Sequence, residues 1–465
     1  MHSRRHFVLG TAAGLLAGMP LGYLASRAFR GASPPSEIVP PSHAAPTFRM
    51  PGPYPGRVIE VRKPGTVLPD RRVDREAVRA MMDRGMCGLT GADHPHEAWR
   101  SLFEKDDIVG IKVNPVGFSR NRMQSAVSHP EIVLETVRNL KALGLPAKNI
   151  IIFERYAQEF IDSGYADLMR ERELDGCRWY ASAAHYTDTQ TAVDGFDLDR
   201  SRYSPDLTRH VAGYDPDVFA HMAFASPAHD PKDDRRFRSH LSLIVSKMVN
   251  KIITIPVLKD HRSAGVTLAL KNLSHGMNNN VARSHISGIA HGYPHTPGFA
   301  VAGPNQCNTF IPAAVAQPQL REKATLHILD GLVGVYEGGP GVWNKTWATW
   351  DYQSLFFATD PVALDHVGWQ IIDAKRVQEG WPRAGEMGNH VFTPPLTAAM
   401  TLSGIGPRTP LEAVAATAAT LHRASGRDSE VFDRRQPEHI FLAGSIGLGV
   451  FEQSAIAHRR IVLRA

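Results

Sequence analysis

The chain has 465 residues and a mass of 51.1 kDa, which excludes a short peptide or a small disulfide-stabilised domain. Hydrophobic residues make up 43% of the sequence and exclude wholesale disorder. The net charge is +6, but Arg4, Arg5, Arg27 and Arg30 contribute four positive charges before the first acidic residue. The remaining excess is too small for the basic footprint of a nucleic-acid-binding protein.

Residues 1–31 are typical of a twin-arginine export signal. Arg4 and Arg5 precede an uncharged stretch from Phe7 to Leu24, a pattern recognised by the twin-arginine export machinery. Because about 20 residues are needed to cross a bilayer, this stretch also fits an N-terminal membrane anchor. We therefore predict an exported, periplasmic protein that is either released or tethered through its N-terminus. Export by this route favours a metal or cofactor that is loaded before translocation.

Repeated prolines mark residues 32–56 as a linker. In residues 57–465, apolar runs of strand length alternate with amphipathic helical patterns. This alternation predicts an α/β domain with a mostly parallel sheet flanked by helices. Between residues 181 and 234 there is no long apolar run, and Asp, Arg, Tyr, His and Pro are frequent. That region is interpreted as a loop-rich insertion.

Hydrophobic periodicity and capping residues define the individual elements. Pro130 and Pro361 fit the first position of a helix, while Ser263 and Asp360 fit the position of a helix cap. The predicted strands are 107–114, 149–153, 252–258, 326–330, 354–358 and 439–442, and the predicted helices are 130–143, 263–273 and 360–372.

Polar residues stand at the ends of several predicted strands. In an open parallel sheet, ligands bind beyond the carboxyl ends of the strands, where loops converge. A cation, carboxylates and an imidazole at one such edge suffice for metal binding or for general acid–base catalysis. Asp360 also fits a purely structural role as a helix cap. The strand-end residues are Lys112, Asn114, Glu154, Lys259, Asp260, His261, Asp330 and Asp360.

The segment from Lys259 to His295 is the richest in polar residues. Lys271 and His275 are four residues apart and share one helix face if the helix extends that far. Neutral imidazole is a common metal ligand and a proton shuttle near neutral pH. The alternative is a surface loop whose histidines have no functional role. The histidines of this segment are His261, His275, His285, His291 and His295.

Several common motifs are absent from the sequence. The run from Gly444 to Gly449 lacks the GxGxxG spacing, and neither GxxxxGK[ST] nor GxSxG occurs. Their absence disfavours a Rossmann dinucleotide site, a P-loop and an α/β-hydrolase. Cys87, Cys177 and Cys307 are far apart, so they favour neither a zinc ribbon nor a self-contained iron–sulfur cluster.

Four segments together resemble a known family. They are DIVGIKVNP at 107–115, VLKDHRSAGVTLALKNL at 257–273, LHILDGLVG at 326–334 and ATDPVALD at 358–365. These segments are similar to the domain-of-unknown-function family three hundred and sixty-two, which includes twin-arginine-exported members. Some relatives carry ferredoxin-type cysteine motifs, which this chain lacks. The resemblance implies no reaction, and its motif residues are Lys112, Asn114, Lys259, His261, Lys271, Asn272, Asp330, Asp360 and Asp365.

Together these patterns predict an exported enzyme with a bound metal ion or another cofactor. We expect it to act on a small oxygenated or anionic substrate by proton transfer or redox chemistry. The alternatives are a non-catalytic periplasmic protein that binds a metal or metabolite, and a partner subunit of an exported redox complex. The assigned residues are Lys112, Lys259 and Lys271 as catalytic, Asn114 and Asn272 as cofactor-binding, and His261, His275, Asp330 and Asp360 as metal ligands.

Overall fold

Strands and helices alternate along most of the chain in the computed structural model, which describes residues 49–185, 204–221, 238–261, 264–279, 281–284, 307–344, 346–384 and 437–464. The strands are β1 (Arg57–Arg62), β2 (Val109–Lys112), β3 (Ile150–Tyr156), β4 (Arg178–Ala183), β5 (Tyr214–His221), β6 (Arg238–Ser242), β7 (Lys251–Thr254), β8 (Val257–His261), β9 (Gly265–Val266), β10 (Ala324–Glu337), β11 (Ala348–Ala358) and β12 (Ala457–Val462). The helices are α1 (Arg75–Thr90), α2 (Pro95–Arg100), α3 (Pro130–Ala142), α4 (Ala157–Asp162), α5 (Tyr165–Leu168), α6 (Pro205–Thr208), α7 (Leu268–Ser274), α8 (Cys307–Val315), α9 (Pro318–Lys323), α10 (Pro361–Gln378) and α11 (Glu438–Ser445).

One ten-stranded sheet holds these elements together. Its order is β12-β1-β11-β10-β7-β2-β3-β4, with β8 also paired to β10 and β9 paired to β8. Neighbouring strands from β10 to β4 are parallel, whereas β11 runs antiparallel to both β10 and β1. The prediction of an α/β fold with a mostly parallel sheet flanked by helices is confirmed.

Residues of the central strands alternate between two hydrophobic cores, as the period of a strand requires. In β7, Ile253 belongs to the core that contains α1, α2 and α3. Its neighbour Ile252 belongs to the core that contains α7, α8, α10 and α11. The helices therefore cover both faces of the sheet.

The strand order reverses between β2 and β7. From β2 the chain passes through α3 and reaches β3 on one side, whereas from β7 it passes through α7 and α8 and reaches β10 on the other side. Because these two connections lie on opposite faces, the loops that leave the adjacent carboxyl ends diverge. Such a reversal is where open α/β sheets bind their ligands.

Two predicted elements are wrong. The strand predicted at 439–442 is part of helix α11, because a short apolar run fits a buried helix as well as a strand. The helix predicted from Ser263 begins only at Leu268, because Gly265 and Val266 pair with His261 and Asp260 as a strand.

Other elements differ in extent from the prediction. The strand predicted at 252–258 is interrupted at Pro256 and forms β7 and β8, since proline has no amide hydrogen for a sheet. The helix predicted from Pro361 is present, and Asp360 caps it. Strands β1 and β12 and helix α1 were not predicted from the sequence.

The predicted insertion and linker are described only in part. Within 181–234, β4 ends and β5 pairs with β6 in a separate two-stranded sheet, while residues 186–203 and 222–237 are outside the described ranges. Met50, in the predicted linker, is buried, and its amide donates a 2.7 Å hydrogen bond to the Arg321 carbonyl. The predicted export segment, 1–31, also lies outside the described residues. No helix in the described ranges is long and apolar enough to cross a membrane.

Candidate functional site

A cavity of about 440 Å³ lies beyond the carboxyl ends of β2 and β3, beside the point between β2 and β7 where the strand order reverses. Its wall comes from these strand ends, from α4 and β8, from α7 with the turns around it, and from the loop after β10. The lining residues are Lys112, Asn114, Val116, Glu154, Arg155, Glu159, His261, Thr267, Lys271, Asn272, His275, Gly276, Val281, Pro340, Trp343 and Asn344.

Lys112 is the last residue of β2, and its ammonium group is fully committed to partners. It forms a buried ion pair with the Glu154 carboxylate. It also donates hydrogen bonds to the Val113 carbonyl at 2.7 Å and to Oδ1 of Asn272 at 3.3 Å. Gly276 permits this packing, because a Cβ atom at that position would lie 2.9 Å from Cε of Lys112.

Helix α7 brings Lys271, Asn272 and, just after its end, His275 to the cavity. Its first turn is held by Asp365 of α10, whose two carboxylate oxygens accept hydrogen bonds from the amides of Ala269 (2.7 Å) and Leu270 (2.9 Å). A carboxylate at a helix N-terminus is favoured by the helix dipole. Asp365 is therefore a buried residue that positions the wall of the cavity.

Among the buried lysines that the structure describes, Lys271 has the fewest partners. Its ammonium group makes no hydrogen bond or ion pair with any described residue, and 7% of the residue's surface stays accessible. Burial lowers its pKa to about 8, an effect that the Cys307 thiol opposes and the Arg155 charge reinforces. Lys271 is thus an amine whose charged form is disfavoured at the cavity wall.

Lys259, in β8, lies directly behind the wall rather than in it. The residue is fully buried, and its ammonium group donates to the carbonyl of Val116, which does line the cavity. Burial lowers the pKa of Lys259 to about 7, with Asp260 opposing and Lys271 adding to the shift. The charge of Lys271 therefore adds to the cost of charging Lys259.

Arg155 and Glu159 line the cavity but were not assigned by the sequence analysis. Nη1 of Arg155 donates to the His275 carbonyl at 2.6 Å, and its guanidinium carbon lies 4.4 Å from the centroid of the Tyr156 ring. Burial raises the pKa of Glu159 to about 7, against the effect of Arg155. Both residues come after the predicted strand 149–153 and its strand-end residue Glu154, and that position is the signal by which they could have been found.

Four lining side chains keep a buried polar atom that has no hydrogen-bond partner among the described residues. Nε of Arg155 and Nδ2 of Asn272 are donors, while Oδ1 of Asn114 and Oε2 of Glu159 are acceptors. An unpaired buried polar atom costs about 1–3 kcal/mol. A polar ligand that offered both acceptors and a donor would remove part of this cost.

The two described histidines of the polar segment both line the cavity. Nδ1 of His261 accepts the Ala264 amide at 3.1 Å, so the neutral ring carries its proton on Nε2. In His275, Nδ1 lies 3.1 Å from Oγ of Ser274, and Nε2 lies 2.6 Å from Oγ of Ser284. Both ring nitrogens of His275 are therefore hydrogen-bonded within the protein.

Asp330 and Asp360 lie away from the cavity wall. Asp330 accepts hydrogen bonds from the amides of His129 (2.8 Å) and Leu332 (2.9 Å). Asp360 binds four amides and joins the start of α10 to two distant loops. The amides that Asp360 binds are those of Gly56, Val362, Ala363 and Val450, at 2.9–3.0 Å. The structure does not bring these two predicted metal ligands to the other site residues.

Most, but not all, of the predicted site residues line the same cavity. The predicted residues in the wall are Lys112, Asn114, His261, Lys271, Asn272 and His275. Within the described ranges, no three or more His, Cys, Asp or Glu side chains form a group that could hold a metal ion. The further predicted histidines, His285, His291 and His295, are outside those ranges. The sequence analysis also missed Trp343, which lines the cavity with 68% of its surface exposed.

Comparison with known proteins gives a family match for the central part of the chain. No curated protein matches it. A crystal structure of a protein from Thermotoga maritima, a structural-genomics target, is similar with a TM-score of 0.33 and 11% sequence identity, over 64% of this chain and 58% of that one. Residues 232–370 match the family described as Domain of unknown function (DUF362). Over these residues, which include three of the four motifs singled out in the sequence, the chain is similar to DUF362.

Proposed function

We propose that the protein is an enzyme that binds a small oxygenated anion in this cavity and acts on it by proton transfer. The proposal of an anion site rests on the charge of the cavity wall. Glu154 neutralises Lys112, whereas Arg155 and Lys271 form no ion pair with a described residue. The remaining wall carboxyl group, Glu159, has a pKa of about 7 and is only partly ionised at neutral pH. The wall therefore carries a net positive charge that suits an anion.

The proton-transfer part of the proposal rests on groups that titrate near neutral pH. General acid–base catalysis is most efficient when the pKa of the group lies near the working pH. Burial brings the pKa of Glu159 to about 7 and that of Lys271 to about 8, and both line the same cavity. We assign Glu159 as the group that takes a proton from the substrate and returns it.

Calorimetric binding of pyruvate tests the anion site. We expect Arg155→Met to weaken binding by about 30-fold, because losing one side of a buried charged contact costs about 2 kcal/mol or more. The matched control is Arg138→Met, since Arg138 pairs with Glu135 on α3 and does not line the cavity. Equal affinities in the wild type and Arg155→Met, or tighter binding of the uncharged propanamide, would contradict the proposal.

Hydrogen exchange at the methyl group of pyruvate in D₂O tests catalysis. We expect the wild type to accelerate the loss of the methyl proton resonance, and Glu159→Gln to abolish that acceleration. Glu171→Gln, at an exposed position, is the control. Pyruvate that binds without accelerated exchange would favour the alternative of a non-catalytic binding protein.

We propose in addition that the protein is exported by the twin-arginine route. The support is the Arg4–Arg5 pair before an uncharged stretch. We expect the Arg4→Lys, Arg5→Lys double variant to remain in the cytoplasm as its precursor. Normal periplasmic accumulation of that variant would refute this part of the proposal.

The bound metal or cofactor stays a prediction. His261 is the predicted ligand to test, because it lines the cavity, unlike Asp330 and Asp360. Elemental analysis and native mass spectrometry measure the bound metal and any bound organic molecule. The purified wild type is compared with the His261→Ala variant. We expect a stoichiometric metal or bound molecule in the wild type and its loss in the variant. If neither protein contains one, the prediction of a bound metal or cofactor is wrong.

A further inference from the structure

We infer that Lys271 is a nucleophile that forms an imine with the carbonyl carbon of a small oxo-carboxylate. The inference rests on the proposed function, because it assigns a covalent step and a substrate class to the same cavity. The substrate class follows from the two chemistries that the wall brings together. It offers cationic and amide donors for a carboxylate, and beside them an amine for a carbonyl group.

The geometry distinguishes Lys271 from the other two lysines of the site. Lys112 is engaged with a carbonyl, a carboxylate and an amide oxygen. Lys259 is fully buried and donates to a main-chain carbonyl. Lys271 lines the cavity, keeps accessible surface and has no hydrogen bond or ion pair with the residues described. Its amine is therefore the one that can meet a substrate.

An imine requires the neutral form of the amine. Desolvation and neighbouring cations are the two ways in which proteins activate such lysines. Both act on Lys271, because it is buried and its charged form is repelled by the Arg155 guanidinium. With a pKa of about 8, about one tenth of this amine is neutral at pH 7.

Imine formation needs only Lys271, Glu159 and the substrate. The Lys271 nitrogen attacks the carbonyl carbon, the C–N bond forms, and a proton moves from nitrogen to oxygen to give a carbinolamine. Glu159, in its protonated form, then donates a proton to the hydroxyl group. The C–O bond breaks, water leaves, and a protonated imine remains with the Glu159 carboxylate. No oxidant or reductant is consumed, and the cationic imine makes the neighbouring C–H bond more acidic.

The orientation of the substrate follows from the unpaired donors. Nε of Arg155 and Nδ2 of Asn272 belong to the same wall as Lys271 and have no partner among the described residues. Asn272 is adjacent to Lys271 in α7. In the proposed complex these donors bind the substrate carboxylate, and the Lys271 amine of the same wall attacks the adjacent carbonyl group. A 2-oxo acid is the smallest molecule with both groups.

Trapping with borohydride tests the inference on the full chain. Pyruvate and sodium borohydride together should increase the protein mass by that of pyruvic acid less one oxygen atom, once per chain. Peptide mapping of the wild type should locate the label on Lys271, which needs no variant. Lys271→Arg, which keeps the charge but cannot form the imine, should reduce labelling at least 10-fold, whereas Lys148→Met, at an exposed lysine, should leave it unchanged.

The outcomes separate the inference from the proposed function. If calorimetry shows pyruvate binding and no label forms, Lys271 is not a nucleophile, but the anion site stands. If the label lies on other lysines, or persists in a folded Lys271→Arg variant, the inference is wrong. If pyruvate binds neither the wild type nor the Arg138→Met control, the proposed function fails and the imine fails with it.

Discussion

The buried aspartates and the buried lysines of this protein have partners of opposite kinds. Asp330, Asp360 and Asp365 each direct both carboxylate oxygens at main-chain amides. Lys112 is held by side chains and one carbonyl, and Lys271 has no hydrogen-bond partner within the described ranges. All five residues are at most 7% exposed, so burial alone does not separate them.

The hydrogen-bond partners of a buried charged residue indicate whether it stabilises the fold or serves the binding site. Amides at helix and loop ends are fixed by the backbone, so a carboxylate that satisfies them stabilises the fold and has no oxygen left for a ligand. A buried ammonium group without a counter-charge destabilises the fold, and a protein keeps such a group where chemistry needs it. The inventory of partners therefore separates Asp360 from Lys271, although both follow strands of the same sheet.

The largest expected effect comes from the lysine that does have a carboxylate partner. Lys112→Met leaves the Glu154 carboxylate buried without its counter-charge. We expect the free energy of unfolding in urea to fall by about 3–5 kcal/mol. The Lys112→Met, Glu154→Gln double variant should recover most of this loss, because it removes the unpaired charge. A single variant as stable as the wild type would show that the pair contributes little.

A smaller loss is expected at the aspartates. Asp360→Ala deprives four amides of their acceptor, and we expect a loss of about 2 kcal/mol in urea unfolding. Asp360→Asn should lose less, because its remaining oxygen still accepts from Val362 and Ala363. Pyruvate affinity of the folded Asp360→Ala protein should equal that of the wild type. A weaker affinity would place Asp360 in the binding site rather than in the scaffold.

The sequence predicts the parts of this molecule whose cause is local. The periodicity of α3 and the Asp360–Pro361 cap of α10 are both present in the structure. The expectation that polar residues at strand ends line a site also holds at β2. Parallel strands bring Lys112 and Asn114 to the edge of the sheet that α7 contacts. The strand predicted at 439–442 is wrong because a run of four residues is too short to show a period, and the tertiary environment makes it helical.

The rest of the site depends on contacts that no local pattern records. Asp330 lies in β10 and Glu154 lies in β3, both in the parallel part of the sheet, yet Asp330 accepts from the amides of His129 and Leu332 while Glu154 pairs with Lys112. Which partner a carboxylate meets depends on the order of strands in the sheet. The partner of Arg155 could not be predicted for the same reason, because the His275 carbonyl is 120 residues away.

The smallest and sharpest prediction concerns Lys271, where removing the charge should stabilise the fold. Lys271→Met replaces a buried ammonium group that has no counter-charge among the described residues, so we expect a gain of about 1 kcal/mol at pH 7. Unfolded lysine binds its proton up to a pKa of 10.5, whereas folded Lys271 releases it at about 8. Between these values the unfolded wild type binds more protons, so its stability rises with pH.

The gain of Lys271→Met over the wild type should therefore shrink as the pH of urea unfolding is raised from 8 towards 10.5. Lys259 titrates in both proteins, so its contribution largely cancels in the difference. Lys148→Met, at an exposed lysine, should show no pH-dependent difference from the wild type. A Lys271→Met protein that is less stable at pH 7, or whose advantage does not change with pH, would mean that the folded protein satisfies this charge. Lys271 would then belong with the aspartates as part of the scaffold.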